Sequence, residues 1–579
     1  MRLARCLAIG FFLPLVGLLF SARCAAQIPD PGQLPGRTIF YALWRGTPTG
    51  EIRKNNSLYA LWDDADFAAT RTSFVETLMN NSEKPKDNPA LSREEFAQYA
   101  TLLDNAFLLG YLRRVEPPAA AKSTAAKPAH AWNGMFFVYD RTGKEDLLSR
   151  AVLRMRAAGT DIPKLTQVTV AGVPSLKVER KTDTTYWAEF GKYAVSAGEA
   201  PVFEEILNLV NGKPGSSLLS QSAHYQEAKS LLSGGVLEFF LSIPSVKELA
   251  LDSPASSSSS QLKPFLNALK LDSVHSLAGH VTLDGARTRM EAGILGDTGP
   301  GGLFDIFSDG QANPASFAYL SPDTVYYSES QLNLLGLYQT LKRAFTQSGG
   351  NTSQIVTPLE SAAETRLGMP LPDALALVSG EFASVQASPT LEDNQKVYLL
   401  SIRNKPEALK LTRTLLGDRI SSERNEGSTT FLKISLGGGQ SAAGVTQWNF
   451  YYLAMTPTLL FGASKSDTLR KYVTQTPAGS DPLLPKAIQS ARAKYPDKLN
   501  GFTYFDFQKV DWAGLKAQWV AQINKTAKNE KTKEAEKNEQ KLADWMSQVN
   551  PDVFPRHLHT LLGASWKDAK GVHIEEWLE

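Results

Sequence analysis

The apolar positions of this chain change period repeatedly, and they do so twice in the same order. In the first half, Met135–Asp140 is a short apolar run that predicts a strand, and the spacing of Leu147, Leu148, Ala151, Val152 and Met155 predicts a helix after it. Apolar alternation over 167–170, 175–179, 185–190 and 192–197 then predicts short strands at the spacing of an antiparallel meander. A helix is expected from Glu199, a second over 221–232, and a strand over 236–243. The second half answers with a strand over 397–402, a helix whose first turn suits Pro406, and meander strands over 430–436, 446–454 and 458–462. Helices near Ser466 and over 485–494 and a strand over 502–507 complete the order.

Residue-level likeness accompanies the periodicity. The segment from Ala194 to Phe203 lines up with Leu460 to Leu469, Leu218-Leu219 with Leu483-Leu484, and Leu237-Glu238-Phe239-Phe240 with Phe502-Thr503-Tyr504-Phe505. Upstream, Leu58-Tyr59 aligns with Val325-Tyr326; downstream, 274–279 aligns with 558–563 and Arg289-Met290-Glu291 with His573-Ile574-Glu575. Self-similarity at a nearly fixed period, here about 265 residues, reports a repeated module. Strands outnumber helices and run consecutively, so the expected class is α+β: two homologous repeats, each a mostly antiparallel sheet with helices packed on one face. The first repeat is placed at 27–300 and the second at 313–579, meeting over 296–313. Segment 117–129 reads as a linker, as does the Ser-rich stretch over 253–261. Opposite that stretch, the second repeat carries an insertion over 525–541, rich in Lys, Glu, Asn and Ala, which is expected as a solvated helix with i,i+4 charge pairing.

Composition adds a compartment. Arg2 and Arg5, an apolar run over 7–20 interrupted by Pro14, and Cys24-Ala25-Ala26 form a secretory signal over 1–26, with cleavage expected before Gln27. The apolar run is shorter than the roughly 20 residues a spanning helix needs, so no transmembrane span is expected in the mature chain. Both cysteines, Cys6 and Cys24, lie inside the signal. The mature protein therefore has no disulfide, no thiol nucleophile and no cysteine-based zinc site. Removing Arg2, Arg5 and Arg23 from 61 basic residues, against 59 acidic ones, takes the formal net charge from +2 to −1. A near-neutral exported chain offers no electrostatic case for nucleic acid.

Leu367-Gly368, Leu371-Pro372-Asp373-Ala374 and Ser379-Gly380-Glu381, with the strand-helix start over 397–409, the run 459–472 and Asp481-Pro482-Leu483-Leu484, form a pattern across 315–510. That pattern resembles a family of exported bacterial proteins described only as a domain of unknown function. The resemblance implies an extracytoplasmic α+β domain and no known activity.

The sequence contains no G-x-x-x-x-G-K-[ST] phosphate loop, no H-E-x-x-H zinc helix and no G-x-S-x-G nucleophile elbow. Ser260 and Lys263 match S-x-x-K, but inside the Ser-rich stretch, where nothing fixes the lysine against the hydroxyl. His557-Leu558-His559 is expected to put two imidazoles on one strand face, with His573 on the paired strand and His275 in the matching place of the first repeat. No acid is seen to orient those rings, so a surface or strand-pairing role is expected. Asp63, Asp64 and Asp66, after a strand candidate over 57–62, read as charge at a helix N-terminus. Asp506 is expected at a solvated strand end, the ten tryptophans in the core, and Gly437-Gly438-Gly439 in a hairpin loop. No catalytic residue, metal ligand or cofactor is assigned. The expectation is an exported non-catalytic binding or envelope-associated protein whose partner is an unknown ligand or envelope protein. The alternatives are an extracytoplasmic hydrolase assembled from distant residues and a lipid or apolar-ligand carrier.

Overall fold

The computed structural model describes residues 28–68, 104–113, 134–144, 163–180, 183–232, 234–252, 267, 269–299, 302–312, 314–347, 352–378, 380–391, 395–440, 446–474, 486–527, 540, 543–544 and 546–579. The expected signal, the segments 117–129 and 253–261, the helix through Leu147 and Met155, and nearly all of 525–541 lie outside them. The chain divides into two compact units, one of residues 1–252, 275–295 and 522–553, the other of 253–274, 296–521 and 554–579. Both combine helices with antiparallel sheet, as the α+β expectation requires.

In the first unit the strands are β1 (Thr38–Trp44), β2 (Phe107–Leu112), β3 (Met135–Asp140), β4 (Lys164–Val170), β5 (Val173–Glu179), β6 (Thr184–Phe190), β7 (Tyr193–Ala197), β8 (Leu237–Ser242), β9 (Val274–Asp284) and β10 (Arg287–Gly296). They pair in the order β10-β9-β8-β1-β2-β3-β7-β6-β5-β4, with antiparallel registers such as Tyr41↔Phe240, Tyr41↔Gly110, Val138↔Val195 and Ala188↔Val195. Period-2 alternation sends Tyr41, Leu43, Leu108, Phe136, Val138, Val195 and Phe240 into one core. Helices α1 (Gly50–Asn55), α2 (Ser57–Asp63), α3 (Ala200–Val210), α4 (Ala223–Ala228) and α5 (Ile243–Asp252) accompany this sheet. Helix α3, with Pro201 in its first turn, buries Val202, Phe203, Ile206, Leu207 and Leu209 against that core. Each such side chain is worth about 1.5–3 kcal/mol of transfer free energy. Gly110 is glycine for a steric reason: a Cβ there would stand 2.4 Å from the Phe136 ring.

The second unit carries β11 (Tyr326–Leu332), β12 (Gly380–Gln386), β13 (Val397–Ser401), β14 (Ile420–Glu426), β15 (Thr429–Gln440), β16 (Thr446–Met455), β17 (Leu459–Ala463), β18 (Gly501–Asp506), β19 (Thr560–Asp568) and β20 (Gly571–Leu578). Their order is β20-β19-β18-β11-β12-β13-β17-β16-β15-β14, with registers including Tyr327↔Tyr504, Tyr327↔Val385, Leu399↔Phe461 and Ala454↔Phe461. Its helices are α6 (Leu334–Gln347), α7 (Thr352–Leu367), α8 (Leu371–Leu377), α9 (Lys405–Leu416), α10 (Ser466–Thr474), α11 (Lys486–Arg492), α12 (Trp512–Ala527, running into the first unit's segment) and α13 (Val553–His557). Leu469 and Tyr472 of α10 and Ile488 of α11 pack on Tyr327, Val385, Leu399, Phe461 and Tyr504. Asn404 starts α9 by accepting from Glu407 N–H, with Pro406 in the first turn as expected.

Three expectations are corrected. Residues 57–62 are helix α2, not a strand: the Asn56 side chain accepts from Leu58 N–H and Tyr59 N–H, and Leu58, Leu61 and Trp62 fall on one buried face. The alignment of Leu58-Tyr59 with Val325-Tyr326 therefore joins a helix to the start of β11. Gly437-Gly438-Gly439 lies within β15, where Gly438 pairs with Trp448 after a register shift, so the open backbone serves a bulge and not the hairpin turn. The helix expected over 221–232 is confined to α4, with 3-10 turns on either side.

Candidate functional site

Buried acids are costly unless bonded, so their partners show what they are for. In the first unit Glu238 on β8 is 3% exposed. Tyr41 Oη donates to its Oε1 at 2.6 Å and Arg45 Nη2 to its Oε2 at 3.2 Å, while Arg45 Nε donates to Gly235 O at 2.9 Å. Burial raises the Glu238 pKa against the Tyr41 hydrogen bond and Arg45, which lower it. Burial, followed by the Glu238 charge, drives the Tyr41 phenol far above its ordinary value. The phenol is thus a fixed donor.

The second unit holds a similar acid on a different strand. Glu329 of β11 is fully buried, accepts from Tyr327 Oη at 2.9 Å and from Arg492 Nη1 at 3.3 Å, and lies one residue pair from the Ser316 hydroxyl, which is 2.7 Å from the same phenol oxygen. Burial pushes its pKa up to about 8, outweighing Arg492 and the Tyr327 bond, which act in the opposite direction. Arg492 also donates to Gln311 O at 2.9 Å and Ala312 O at 2.6 Å, and its guanidinium lies 5.1 Å from the Phe317 ring centre. Nearby Glu381 accepts Ala315 N–H at 2.6 Å and Ser316 N–H at 2.9 Å, which fixes the chain entering β11. In cross-strand terms Leu43 faces Glu238 in one unit, and Glu329 faces Phe502 in the other. In each unit an acid lies across from an apolar residue near an inward tyrosine, the acid standing on β8 in the first unit and on β11 in the second.

A third cluster has metal-ligand composition. His224 and Glu227 lie three residues apart on α4, and His275 lies at the start of β9. His275 Nδ1 stands 2.7 Å from Glu227 Oε2, and the two imidazole centres are 4.6 Å apart. One donor atom from each of the three residues falls within 4.8 Å of the others, and all three side chains are partly buried.

The second unit also has an open polar cleft of about 270 Å³, lined by Asp305, Asp309, Asn333, Arg343 and Lys567 among others. Its charges pair within the cleft: Lys567 Nζ is 2.9 Å from Asp309, whose pKa that contact lowers, and Arg343 Nη2 is 3.8 Å from Asp305.

The sequence-derived candidates are dispersed. His557 ends α13, Leu558 N–H still donates to Phe554 O, and His559 precedes β19, so the two imidazoles do not share a strand face. His573 is on β20 as expected, stacked 5.3 Å from Trp566, yet an acid does orient it: Asp568 Oδ1 lies 3.1 Å from its Nε2. Asp63 closes α2 and pairs with Arg53, whereas Asp64 caps the next turn by accepting Asp66 N–H at 2.8 Å. Asp506 ends β18, accepting from Tyr504 Oη and Gln508 N–H, and is 15% exposed. Trp44 and Trp62 are core residues, Trp512 stacks on Phe554 at 4.7 Å, and Trp519 is exposed. Ser260 and Lys263 lie outside the described residues. His224 was missed, although the spacing His224-x-x-Glu227 on a helix is a readable signal once His275 is known to face it.

Compared with protein-family models, curated proteins and solved structures, the chain gives no match. Among the described residues no helix is long and apolar enough to cross a membrane.

Proposed function

We propose that the chain is an exported binding or envelope-associated protein made of two copies of one ten-stranded α+β unit, acting without catalysis. The strand orders support the duplication. They correspond strand for strand, and one set of equivalences (Tyr41 with Tyr327, Val138 with Leu399, Ala188 with Ala454, Val195 with Phe461, Phe240 with Tyr504) satisfies the registers of both units, the last of them one residue away from the sequence alignment of Phe240 with Phe505. The export half of the proposal rests on the Arg2 to Ala26 segment, and the likeness over 315–510 to an exported family of unknown function accords with it.

The observation that carries the non-catalytic half is the exchange of Glu238 and Glu329 across one cross-strand pair. Catalysis ties an acid to a fixed geometry relative to its substrate. A packing role needs only an acceptor beneath the inward tyrosine, from whichever strand supplies it. Of the acids whose pKa burial raises, Glu238 is held by Tyr41 and Arg45 and Glu329 by Tyr327 and Arg492, while Asp104, pushed up to about 6, is countered by Lys144 and Arg53, and Glu576 is raised by burial alone. A thermal-shift screen of the mature chain against lipid, glycan and peptide fractions tests the reading, since a ligand of the folded state raises the melting temperature by mass action. Saturable shifts without turnover are expected. Turnover of an ester, amide or glycoside panel, abolished by Glu238→Gln or Glu329→Gln, overturns it.

A further inference from the structure

We propose that His224, Glu227 and His275 form a site for one divalent d-block metal ion of the zinc type, carried by the first unit. Two imidazoles and a carboxylate suit zinc and its neighbours, whereas calcium and magnesium favour all-oxygen shells. Tetrahedral zinc with bonds of about 2.0–2.2 Å sets its ligand atoms roughly 3.3 Å apart. The three donors, within 4.8 Å of one another and with Glu227 and His275 already at 2.7 Å, need only side-chain rotation to reach that spacing. Their backbones are well placed to hold it. His224 and Glu227 share one face of α4 at i and i+3, and the same helix is anchored by buried Tyr225 and Ala228. His275 sits between buried Val274 and Ser276 at the start of β9.

Three protein ligands leave a fourth position for water or for a donor atom of a bound partner. The second unit does not repeat the site, because α11 reads Lys-Ala-Ile-Gln-Ser-Ala-Arg, with no histidine or acid. The inference goes beyond the binding reading and stands without it: metal binding is compatible with either a binding protein or an enzyme.

The competing account is a plain His275–Glu227 hydrogen bond with His224 stacked beside it. His224 separates the two, since it contributes to a metal and nothing to that bond. The experiment is equilibrium dialysis of the untagged mature chain, stripped with chelator, against zinc chloride with elemental analysis, followed by cobalt substitution read by visible absorption. Wild type and His573→Ala are expected to bind one zinc per chain, released on acidification because the ligating imidazoles must be neutral. His224→Ala and Glu227→Gln are expected to weaken binding about tenfold or more and to lose the tetrahedral cobalt spectrum, while circular dichroism remains that of the wild type. Absence of stoichiometric zinc in the wild type, or zinc affinity unchanged in a folded His224→Ala chain, overturns the proposal. Should His224→Ala fail to fold, the conservative Glu227→Gln decides by the same criterion.

Discussion

Replacing Glu329 by glutamine removes a proton that the fold holds and the unfolded chain does not. The pKa of Glu329 rises from an ordinary 4.5 to about 8, through burial that Arg492 only partly offsets. Between those values the folded state binds one more proton than the unfolded state, so stability must fall as pH rises. The stabilisation is fully present below pH 4.5 and is lost as pH climbs through about 8. The slope is about 1.36 kcal/mol per pH unit, which gives about 3 kcal/mol between roughly pH 5 and pH 7. Glutamine keeps the shape and does not titrate. Urea unfolding of the wild type and Glu329→Gln across this range, followed by tryptophan fluorescence, isolates the effect in the difference between the two curves. The wild type is expected to lose about 2–3 kcal/mol relative to the variant over that interval and to level off above pH 8. A flat difference, or one of opposite sign as an ordinary ion pair with Arg492 would give, refutes the reasoning.

Other substitutions probe the same packing logic. Arg492→Leu removes a donor from the buried Glu329 carboxyl and strips the donors from Gln311 O and Ala312 O, so the second unit should lose about 1–3 kcal/mol in denaturant titration. Tyr41→Phe orphans one oxygen of Glu238 and should cost about 1–3 kcal/mol at neutral pH. Gly110→Ala drives a methyl into the Phe136 ring and should lower stability by about 1–3 kcal/mol; a neutral result would mean that β2 and β3 stand further apart than described.

Elements with a clean apolar period were legible in the sequence. β3 and β13 are continuous apolar runs, the meanders alternate, and α9 announces itself through Asn404 and Pro406. β14 was not legible, because Ile420–Glu426 is exposed along nearly its whole length and offers no alternation; its pairing with β15 makes it a strand. Residues 57–62 were misread because Leu58, Tyr59, Leu61 and Trp62 fit a short strand as well as a helix, and the Asn56 cap decides between them. The buried acids gave no signal because Glu238, between Leu237 and Phe239, alternates as a solvent-facing residue would, and Glu329, between Ser328 and Ser330, reads as part of a polar strand surface. The metal-ligand set was hidden by distance along the chain: Glu227 and His275 are 48 residues apart and meet only when α4 packs beside β9.

The claim that this protein acts by holding something is tested most directly by native mass spectrometry of the mature chain purified from its exported compartment, with denaturing extraction of whatever travels with it. The account predicts a chain beginning at Gln27 that carries a stoichiometric lipid, glycan, metal or protein partner. An unprocessed chain recovered from the cytoplasm, or an empty one that turns over a hydrolase substrate, would contradict it.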